Sequence, residues 1–332
     1  MQNSSIWHPQ ETPANEIDLA NFPRLLEIIK IYISWSVDEN LNRVNYRWRI
    51  DERWSAMAIE TLDILKKWYY NLPDWNRLNI YELLESSIAS TRLVSTEDFE
   101  LIKSNANSFL RLTKQIKTNF SVSIDTTLWT LLSLKDELDI GKTLVLNFAS
   151  WMKPGWEFRA WLFTQEDELI ISSWLYYSLI SKEFMYMLNR WNWSHLYGDQ
   201  MIYSPRVPII RDVTWKLLSE PCTASFISSP AVNKRMILKK EPEKASEIDE
   251  TMIERIDKIL SLAIVNWYDN IILWAWWCWA FWNSPEDVSS YFAKLLSEWW
   301  KFSWRFKNVI FSIYSKDKIN TNYEIFCHRF QS

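Results

Sequence analysis

Residues Thr143–Glu168 read T-L-V-L-N-F-A-S-W-M-K-P-G-W-E-F-R-A-W-L-F-T-Q-E-D-E, and the rest of the chain is organised around them. Leu144–Phe148 is a short, largely apolar run followed by a Pro-Gly pair, a pattern typical of a strand buried in a sheet. Gln165 then opens a segment with helical apolar spacing, which predicts a helix from Gln165 to about Glu183. The acids at its start are explained either by N-terminal capping or by a site at the carboxyl end of the strand.

From Phe120 onward, predicted strands and helices alternate, which is typical of a three-layer α/β sheet. Further strands are expected at Ser121–Ile124, Val207–Ile210, Thr223–Ile227, Ile271–Leu273 and Val309–Ile313. Further helices are expected at Thr126–Glu137, Thr251–Asn266 and Pro285–Ser297. The polar, Lys/Glu-rich segment Lys234–Glu250 is expected to form a mobile loop.

The first part of the chain is predicted to be mostly helical. Phe22–Ser34 carries apolar residues at helical spacing, and Ser55–Tyr70 is a clear amphipathic helix with a glycine-like stop at Trp68. We therefore divide the chain into an N-terminal helical region, residues 1–118, and an α/β core, residues 119–332.

The composition is abnormal in glycine and tryptophan. The chain has 3 glycines and 23 tryptophans in 332 residues, whereas an average glycine content of about 7% gives roughly 23. Trp75 ends a P-D-x turn and Trp267 ends a helical pattern, two places where glycine is expected because a β-carbon disfavours positive φ. We hypothesise that the gene reads UGA as glycine and was translated with UGA as tryptophan. A Trp-rich binder of carbohydrates or membrane interfaces, or a designed sequence, would be the alternative.

The net charge and the cysteines argue against a nucleic-acid-binding protein and against a disulfide-rich one. The formal net charge of −4 argues against non-specific binding to nucleic acid, which needs a basic surface. The three cysteines form no C-x-x-C pair and no even disulfide framework, so a reducing cytoplasm is expected; they are Cys222, Cys278 and Cys327.

Metal, export and membrane signals are weak. The three histidines are scattered without ligand spacing, so we expect no metal site; they are His8, His195 and His328. The N-terminus lacks the basic start and apolar core of a signal peptide. The apolar run Ile271–Trp282 is shorter than the about 20 residues that span a bilayer, so no membrane partner is expected.

Two stretches together resemble the microbial-type poly(ADP-ribose) glycohydrolases, a family with a macrodomain-like fold. N-F-A-S at Asn147–Ser150, Pro154-Gly155, Phe158 and Q-E-D at Gln165–Asp167 are similar to the family's N-F-A-S-x-x-x-P-G-G-G-F and Q-E-E. Ile271–Asn283 reads I-I-L-W-A-W-W-C-W-A-F-W-N, which is similar to L-G-A-W-G-C-G-A-F-G-N. The match places most tryptophans at glycine positions and extends over about residues 53–315. It implies a macrodomain-like three-layer α/β/α fold with an N-terminal helical region.

The resemblance implies an enzyme that cleaves the ribose–ribose bonds of poly(ADP-ribose). Such cleavage passes through an oxocarbenium-like state, so a carboxylic acid must protonate the leaving hydroxyl, and once ionised it can activate water. Asp167 stands where the family has its catalytic glutamate, and Glu166 stands where the family has the acid that helps to hold the ribose hydroxyls. Aspartate is one methylene shorter, and errors of about 1 Å can cost about a hundredfold in rate. Glu157 is a second departure, because it replaces the third glycine of P-G-G-G-F.

The resemblance also implies an ADP-ribose site built from both stretches. Glycines in the second stretch would let backbone N–H groups approach a diphosphate, whose charge a helix N-terminus favours. Asn147 and Ser150 are expected near the distal ribose, and Phe281 over it. Cys278 is either a reactive thiol or a residue that is only packed. Asn233 is either a ligand contact or a residue that caps a turn. The expected ligand-binding residues are Asn147, Ser150, Gly155, Trp156, Gln165, Asn233, Trp274, Trp277, Cys278, Trp279, Ala280, Phe281 and Trp282.

Two other functions stay open at this stage. The first is an ADP-ribose-binding module that has lost hydrolysis, with Asp167 as its mark. The second is a hydrolase acting on a mono-ADP-ribosyl group or another nucleoside-diphosphate-ribose. In each case the expected partner is ADP-ribose or poly(ADP-ribose) on modified proteins, handled by a monomer without a metal or other cofactor.

Overall fold

The apolar runs predicted as strands lie side by side in one mixed sheet. A computed structural model of the chain describes residues 52–74, 76–112, 114–155, 164–275, 281–315 and 320–331. Its strands are β1 (Tyr69–Asn71), β2 (Arg77–Asn79), β3 (Arg92–Val94), β4 (Asn119–Ser123), β5 (Thr143–Phe148), β6 (Met201–Arg211), β7 (Leu217–Ser229), β8 (Asn270–Leu273) and β9 (Asn308–Ser312).

The helices of the described residues surround this sheet. They are α1 (Glu52–Lys67), α2 (Tyr81–Ser90), α3 (Thr96–Leu112), α4 (Thr127–Ser133), α5 (Gln165–Ser172), α6 (Leu175–Ser181), α7 (Phe184–Trp191), α8 (Lys234–Lys240), α9 (Ile248–Val265), α10 (Pro285–Leu296) and α11 (Thr321–Phe330). Short 3-10 helices lie at Ile140–Lys142 and Pro242–Glu247.

The main sheet has seven strands in the order β3-β6-β7-β5-β8-β9-β4, and β1 and β2 pair separately. Strands β7, β5, β8, β9 and β4 run parallel, whereas β6 is antiparallel to β7 and β3 is antiparallel to β6. Strand β5 is central and every residue in it is buried, as its apolar run predicts. The α/β fold class predicted from the alternation is confirmed.

Side-chain alternation along β5 separates two helical layers. Leu144, Leu146 and Phe148 belong to a large core with residues of α3, α9, α10 and α11. Because neighbouring side chains of a strand point to opposite faces, Val145 and Asn147 face the other layer, where α5 packs on β5 and on α1 and α4. Asn147 is therefore presented toward the start of α5.

The helix predicted from Gln165 to about Glu183 is wrong in its extent. It is two helices, α5 and α6, because the chain becomes extended at Ser173, with φ −147° and ψ −177°. Ser173 forms an isolated bridge with Ile209 of β6, and its hydroxyl donates to the Leu169 carbonyl at 2.6 Å. This long-range pairing outweighs the local helical pattern.

The mobile loop predicted at Lys234–Glu250 is also wrong. The segment forms α8, a 3-10 helix and the first residues of α9. Ile237 is fully buried, and Lys234 Nζ lies 2.9 Å from an Asp287 carboxylate oxygen of α10. A polar segment is ordered here because its few apolar residues and its ion pair are used in tertiary contacts.

Most other predicted elements are confirmed with small shifts at their ends. Helix α4 is shorter than predicted, since Thr127–Ser133 is followed by turns, and the strands near Val207 and Thr223 extend into a long hairpin, β6–β7. Phe22–Ser34 and Trp75 lie outside the described residues, and the division at residues 118 and 119 stays a prediction. In the described part of the chain, no helix combines the length and apolar character needed to cross a membrane.

Positive φ angles occur mainly at tryptophans. Eight described residues other than glycine have positive φ, and six of them are tryptophans although only 23 of the 332 residues are. Trp68 (φ 63°) ends α1 and Trp267 (φ 60°) follows α9, as the sequence predicts for glycine-like positions. The other four are Trp215, Trp282, Trp299 and Trp304.

Candidate functional site

Three loops meet at one edge of the sheet. Because β5, β7 and β8 are parallel neighbours, the chain leaves all three strands at the same edge. These loops begin at Ala149, Pro230 and Trp274. Crevices outside the carboxyl ends of strands are where open α/β sheets bind ligands. The topology therefore brings together the two stretches that the sequence singles out.

Gln165 ties the start of α5 to the end of β5. Its Oε1 accepts from the Phe148 amide at 2.8 Å, and its Nε2 donates to the Leu146 carbonyl at 2.7 Å and to Thr127 Oγ1 at 3.1 Å. The side chain is buried. Through these bonds Gln165 links the start of α5 to β5 and α4. Its predicted contact with the ligand stays a prediction.

Glu166 points back toward the loop after β5. Its Oε2 accepts from the Ser150 amide at 3.1 Å, and its Oε1 lies 3.4 Å from Asn147 Nδ2. Burial raises the pKa of Glu166 to about 8, although hydrogen bonds from the Ser150 and Gly155 amides and from Asn147 oppose the shift. The carboxyl is therefore protonated and uncharged at neutral pH.

Asn147 has an unused acceptor at the same place. Its Nδ2 also donates to Ser228 Oγ at 2.9 Å, but its buried Oδ1 has no hydrogen-bond partner among the described residues. A buried acceptor without a partner costs about 1–3 kcal/mol, so it calls for an explanation such as a ligand or a water. This atom supports the predicted ligand-binding role of Asn147.

Asp167 forms a capping box with Thr164. The Thr164 amide donates to Asp167 Oδ2 at 3.0 Å, and the Asp167 amide donates to Thr164 Oγ1 at 3.2 Å. Such reciprocal bonds satisfy two amides at a helix start. N-terminal capping thus explains the position of Asp167, whereas it does not explain Glu166, whose carboxyl bonds to the preceding loop.

Glu168 is a third buried acid that sequence reasoning did not assign to the site. Burial raises its pKa to about 7, against hydrogen bonds from Thr126 and the Leu128 amide. It lines a cavity of about 630 Å³ at the ends of β4 and β9, together with Thr126, Trp129 and Tyr314. Its position in the run of three acids was the one available signal.

The two described ends of the second loop contact Phe148 at the end of β5 and the segment that follows β7. The Trp274 ring packs against Phe148 with 4.8 Å between ring centroids. The Phe281 carbonyl accepts from the Arg235 amide at 3.0 Å, and Asn283 Nδ2 donates to the Val232 carbonyl at 3.0 Å. Trp282 has φ 59°, as expected of a glycine position. The remaining predicted ligand residues, Trp156, Trp277, Cys278, Trp279 and Ala280, lie outside the described residues.

Asn233 caps α8. Its Oδ1 accepts from the Met236 amide at 3.1 Å, which is the turn-capping role that the sequence left open. Its Nδ2 also donates to the Tyr197 hydroxyl at 3.3 Å, and the Tyr197 ring lies 6.4 Å from that of Phe281. Tyr197 has φ 61° and had no signal in the sequence pattern.

A mixed, mostly parallel sheet with buried carboxyl groups at the edge that carries the loops defines an α/β protein with a candidate acid–base site. Over residues 58–212 the sequence matches the family described as microbial-type PARG, catalytic domain. The structure is similar to poly(ADP-ribose) glycohydrolase (PARG) from Thermomonospora curvata, with 31% identity, a TM-score of 0.78, and coverage of 84% of this chain and 100% of that chain. The chain belongs to the microbial-type poly(ADP-ribose) glycohydrolase family.

Ligand-bound members of the family show the same likeness. The Thermomonospora curvata enzyme bound to the inhibitor ADP-HPD is 30% identical, with a TM-score of 0.76 and coverage of 84% of this chain and 100% of that chain. PARG from Deinococcus radiodurans in complex with ADP-ribose is 29% identical, with a TM-score of 0.68 and coverage of 79% of this chain and 99% of that chain. No functionally curated protein sequence matches this chain.

Proposed function

We propose that this chain hydrolyses poly(ADP-ribose), cleaving ribose–ribose O-glycosidic bonds by carboxylate general acid/base catalysis. The observation that carries the proposal is the buried pair Glu166–Asp167 at the start of α5, next to the loop after β5, in a fold shared with PARG enzymes. Ligand-bound relatives hold ADP-ribose or ADP-HPD. These relatives support an ADP-ribosyl ligand, and we assign the polymer on modified proteins as the substrate.

We assign the proton transfer to Asp167. It matches the second acid of the family's Q-E-E, and its carboxyl group is oriented by the Thr164 amide. Glu166 is assigned to hold the ribose hydroxyls, because its carboxyl and the unused Asn147 Oδ1 lie together beside Ser150. The shorter reach of aspartate is expected to lower turnover, since about 1 Å of misplacement costs about a hundredfold.

A second assignment gives the proton transfer to Glu166. A general acid must carry its proton at the operating pH, and burial raises the pKa of Glu166 to about 8. In this scheme Asp167 stays a capping residue that shapes the start of α5. The two schemes name different catalytic acids and are separated by substitution.

The test measures ADP-ribose release from poly(ADP-ribose) by a protein with glycine restored at the proposed positions. Asp167→Asn should abolish turnover, because an amide neither donates the proton nor accepts one from water. Asp167→Glu should raise kcat and leave ADP-ribose binding nearly unchanged, as expected for an interaction made in the transition state. If Asp167→Asn stays active while Glu166→Gln is inactive, Glu166 is the acid. If only Glu168→Gln is inactive, both assignments are wrong.

Two other outcomes separate the remaining functions. Binding of ADP-ribose by every variant, with turnover by none, would establish a binding module in which Asp167 marks the lost activity. Release of single ADP-ribose groups from modified protein, without shortening of polymer, would establish a mono-ADP-ribosyl hydrolase. Polymer and singly modified protein should therefore be assayed side by side.

We also propose that most tryptophans of this sequence are UGA-encoded glycines. Six of the eight non-glycine residues with positive φ, among those described, are tryptophans.

The codons test this proposal directly. UGA is expected at positions 151, 156, 161, 274, 277, 279 and 282, and UGG at Trp276. Mass spectrometry of protein purified from the native source checks the same point independently. Finding UGG throughout would end the recoding hypothesis and weaken the proposed function.

Location and assembly are further parts of the proposal. We place the enzyme in the cytoplasm as a monomer without direct contact to nucleic acid or membrane. The thiols of Cys222 and Cys327 are free, which supports a reducing compartment. Cell fractionation together with light scattering on purified protein would contradict this by showing an exported or oligomeric protein.

A further inference from the structure

Arg255 of α9 carries a fully buried guanidinium group. Its Nη1 donates to the Pro230 carbonyl at 2.9 Å. Its Nη2 donates to the Leu196 carbonyl at 2.9 Å, lies 3.4 Å from the Gly198 carbonyl, and lies 3.2 Å from Asp199 Oδ1. A buried charge is tolerated only when it is paired and hydrogen-bonded. Arg255 therefore joins two loops, residues 194–199 and 230–233, through its buried guanidinium group.

Both loops face the candidate ligand site. Loop 230–233 follows β7, the parallel neighbour of β5, and ends at Asn233. Loop 194–199 contains Tyr197, whose hydroxyl accepts from Asn233 and whose ring lies 6.4 Å from that of Phe281. The Asn233 amide donates to the His195 carbonyl at 3.0 Å. The two loops thus form one unit beside the residues that are expected around the distal ribose.

Tyr197 needs this support because its backbone is strained. With φ 61° it occupies the left-handed region, which costs a residue with a β-carbon about 1–2 kcal/mol. Such a conformation persists only where the surroundings over-determine it. The guanidinium holds the carbonyls of Leu196 and Gly198, which stand on either side of Tyr197.

We infer that Arg255 is a positioning residue, which holds the Tyr197–Asn233 unit in the conformation that binds the distal end of ADP-ribose. The inference rests on the proposed function. Arg255 touches no ligand itself; it acts through the carbonyls on both sides of Tyr197 and through Pro230. Loosening these loops should weaken ligand binding, because the binding-competent conformation is then populated only part of the time.

Lys258 offers a matched control. It lies on the same helix, is almost fully buried, and its Nζ lies 2.9 Å from Asp199 Oδ2. Lys258→Met and Arg255→Met each remove a buried cation from the same carboxylate, but only Arg255→Met releases the carbonyls of the two loops. Both variants should lower the melting temperature.

The experiment measures ADP-ribose affinity by calorimetry on the full, glycine-restored chain, at a temperature where all variants are folded. Arg255→Met should weaken binding about tenfold or more, whereas Lys258→Met should stay within about twofold of the parent. Arg255→Lys keeps the charge without the forked donors and should also bind more weakly; it replaces Arg255→Met if that variant does not fold.

Two results would overturn the inference. They are unchanged affinity in both Arg255 variants, and an equal loss of affinity in Lys258→Met, which would indicate a general effect of stability. Failure of the parent itself to bind ADP-ribose would instead refute the proposed function. Binding by the parent with equal affinity in the variants would refute only the role of Arg255.

Discussion

Replacing Glu166 by glutamine should change how the stability of the protein depends on pH. The folded protein keeps this buried carboxyl protonated up to about pH 8, whereas the unfolded chain ionises it near its ordinary pKa of 4.5. Because the folded state binds more protons between these values, its free energy of unfolding falls as pH rises from 4.5 to about 8. At about 1.4 kcal/mol per pKa unit, the full difference is about 5 kcal/mol.

Glutamine does not ionise, so Glu166→Gln removes this contribution. The variant should match the parent in free energy of unfolding near pH 4.5, the ordinary pKa of the carboxyl. Above about pH 8, the pKa in the folded protein, it should exceed the parent by up to about 5 kcal/mol. Taking the difference between variant and parent at each pH cancels the contribution of the groups that do not interact with Glu166. Among these are Glu241 and Asp199, whose pKa values are lowered and which act in the opposite direction.

The assay is urea denaturation of parent and variant across about pH 4.5 to about pH 9, with the free energy of unfolding extrapolated to water. Glu168→Gln is the matched control, because burial raises the pKa of Glu168 only to about 7. Its difference from the parent should stop growing near that pH, whereas the Glu166→Gln difference should grow for about one further unit. A Glu166→Gln difference that is equal at both ends of the range would refute the reasoning that this carboxyl is buried in its neutral form.

The recoding proposal yields two further predictions. Trp299 and Trp193 are both more than nine-tenths exposed, but only Trp299, with φ 72°, has a positive φ. Trp299→Gly should therefore change the free energy of unfolding more favourably than Trp193→Gly, by about 1–2 kcal/mol. Equal changes in urea denaturation would contradict this. Calorimetry should show ADP-ribose binding by protein with glycine at 156, 277, 279 and 282 and little by the chain as written, because indoles there fill the space that a diphosphate and its backbone donors require; equal binding would mean that the ligand site is misplaced.

Local pattern was enough to locate most of the sheet. β5 and β8 are short apolar runs bounded by turn signals. Because both faces of these strands are buried, the strands can be recognised from their own residues, without knowledge of the neighbouring strands. The start of α5 was equally visible, because three acids followed by helical apolar spacing mark a helix N-terminus. These signals depend only on residues that are neighbours in sequence.

The errors lie where a distant partner decides local structure. Ser173 leaves the helix in order to pair with Ile209, and the polar segment that begins at Lys234 is ordered through Asp287 of α10. Strand β6 is much longer than the run near Val207 indicates, although it contains two prolines. Pro205 lies at a register shift opposite β7, and Pro208 stays in register with Thr223. For Ser173 and Lys234 the partner is far away in sequence, so periodicity carries no trace of it.

The same division applies to the site. The sequence by itself determined that acids open a helix after a buried strand and that a second loop follows another strand. It also determined that glycine is favoured at positions such as Trp68 and Trp267. Strand period, helix caps and backbone sterics all depend on residues that are close in sequence. Only the tertiary structure decided that Glu166 bonds to the Ser150 loop while Asp167 caps its helix, and that Arg255 joins two distant loops. Burial and hydrogen-bond partners set the protonation of a carboxyl and the conformation of a loop, and both are properties of packing between segments that are remote in sequence.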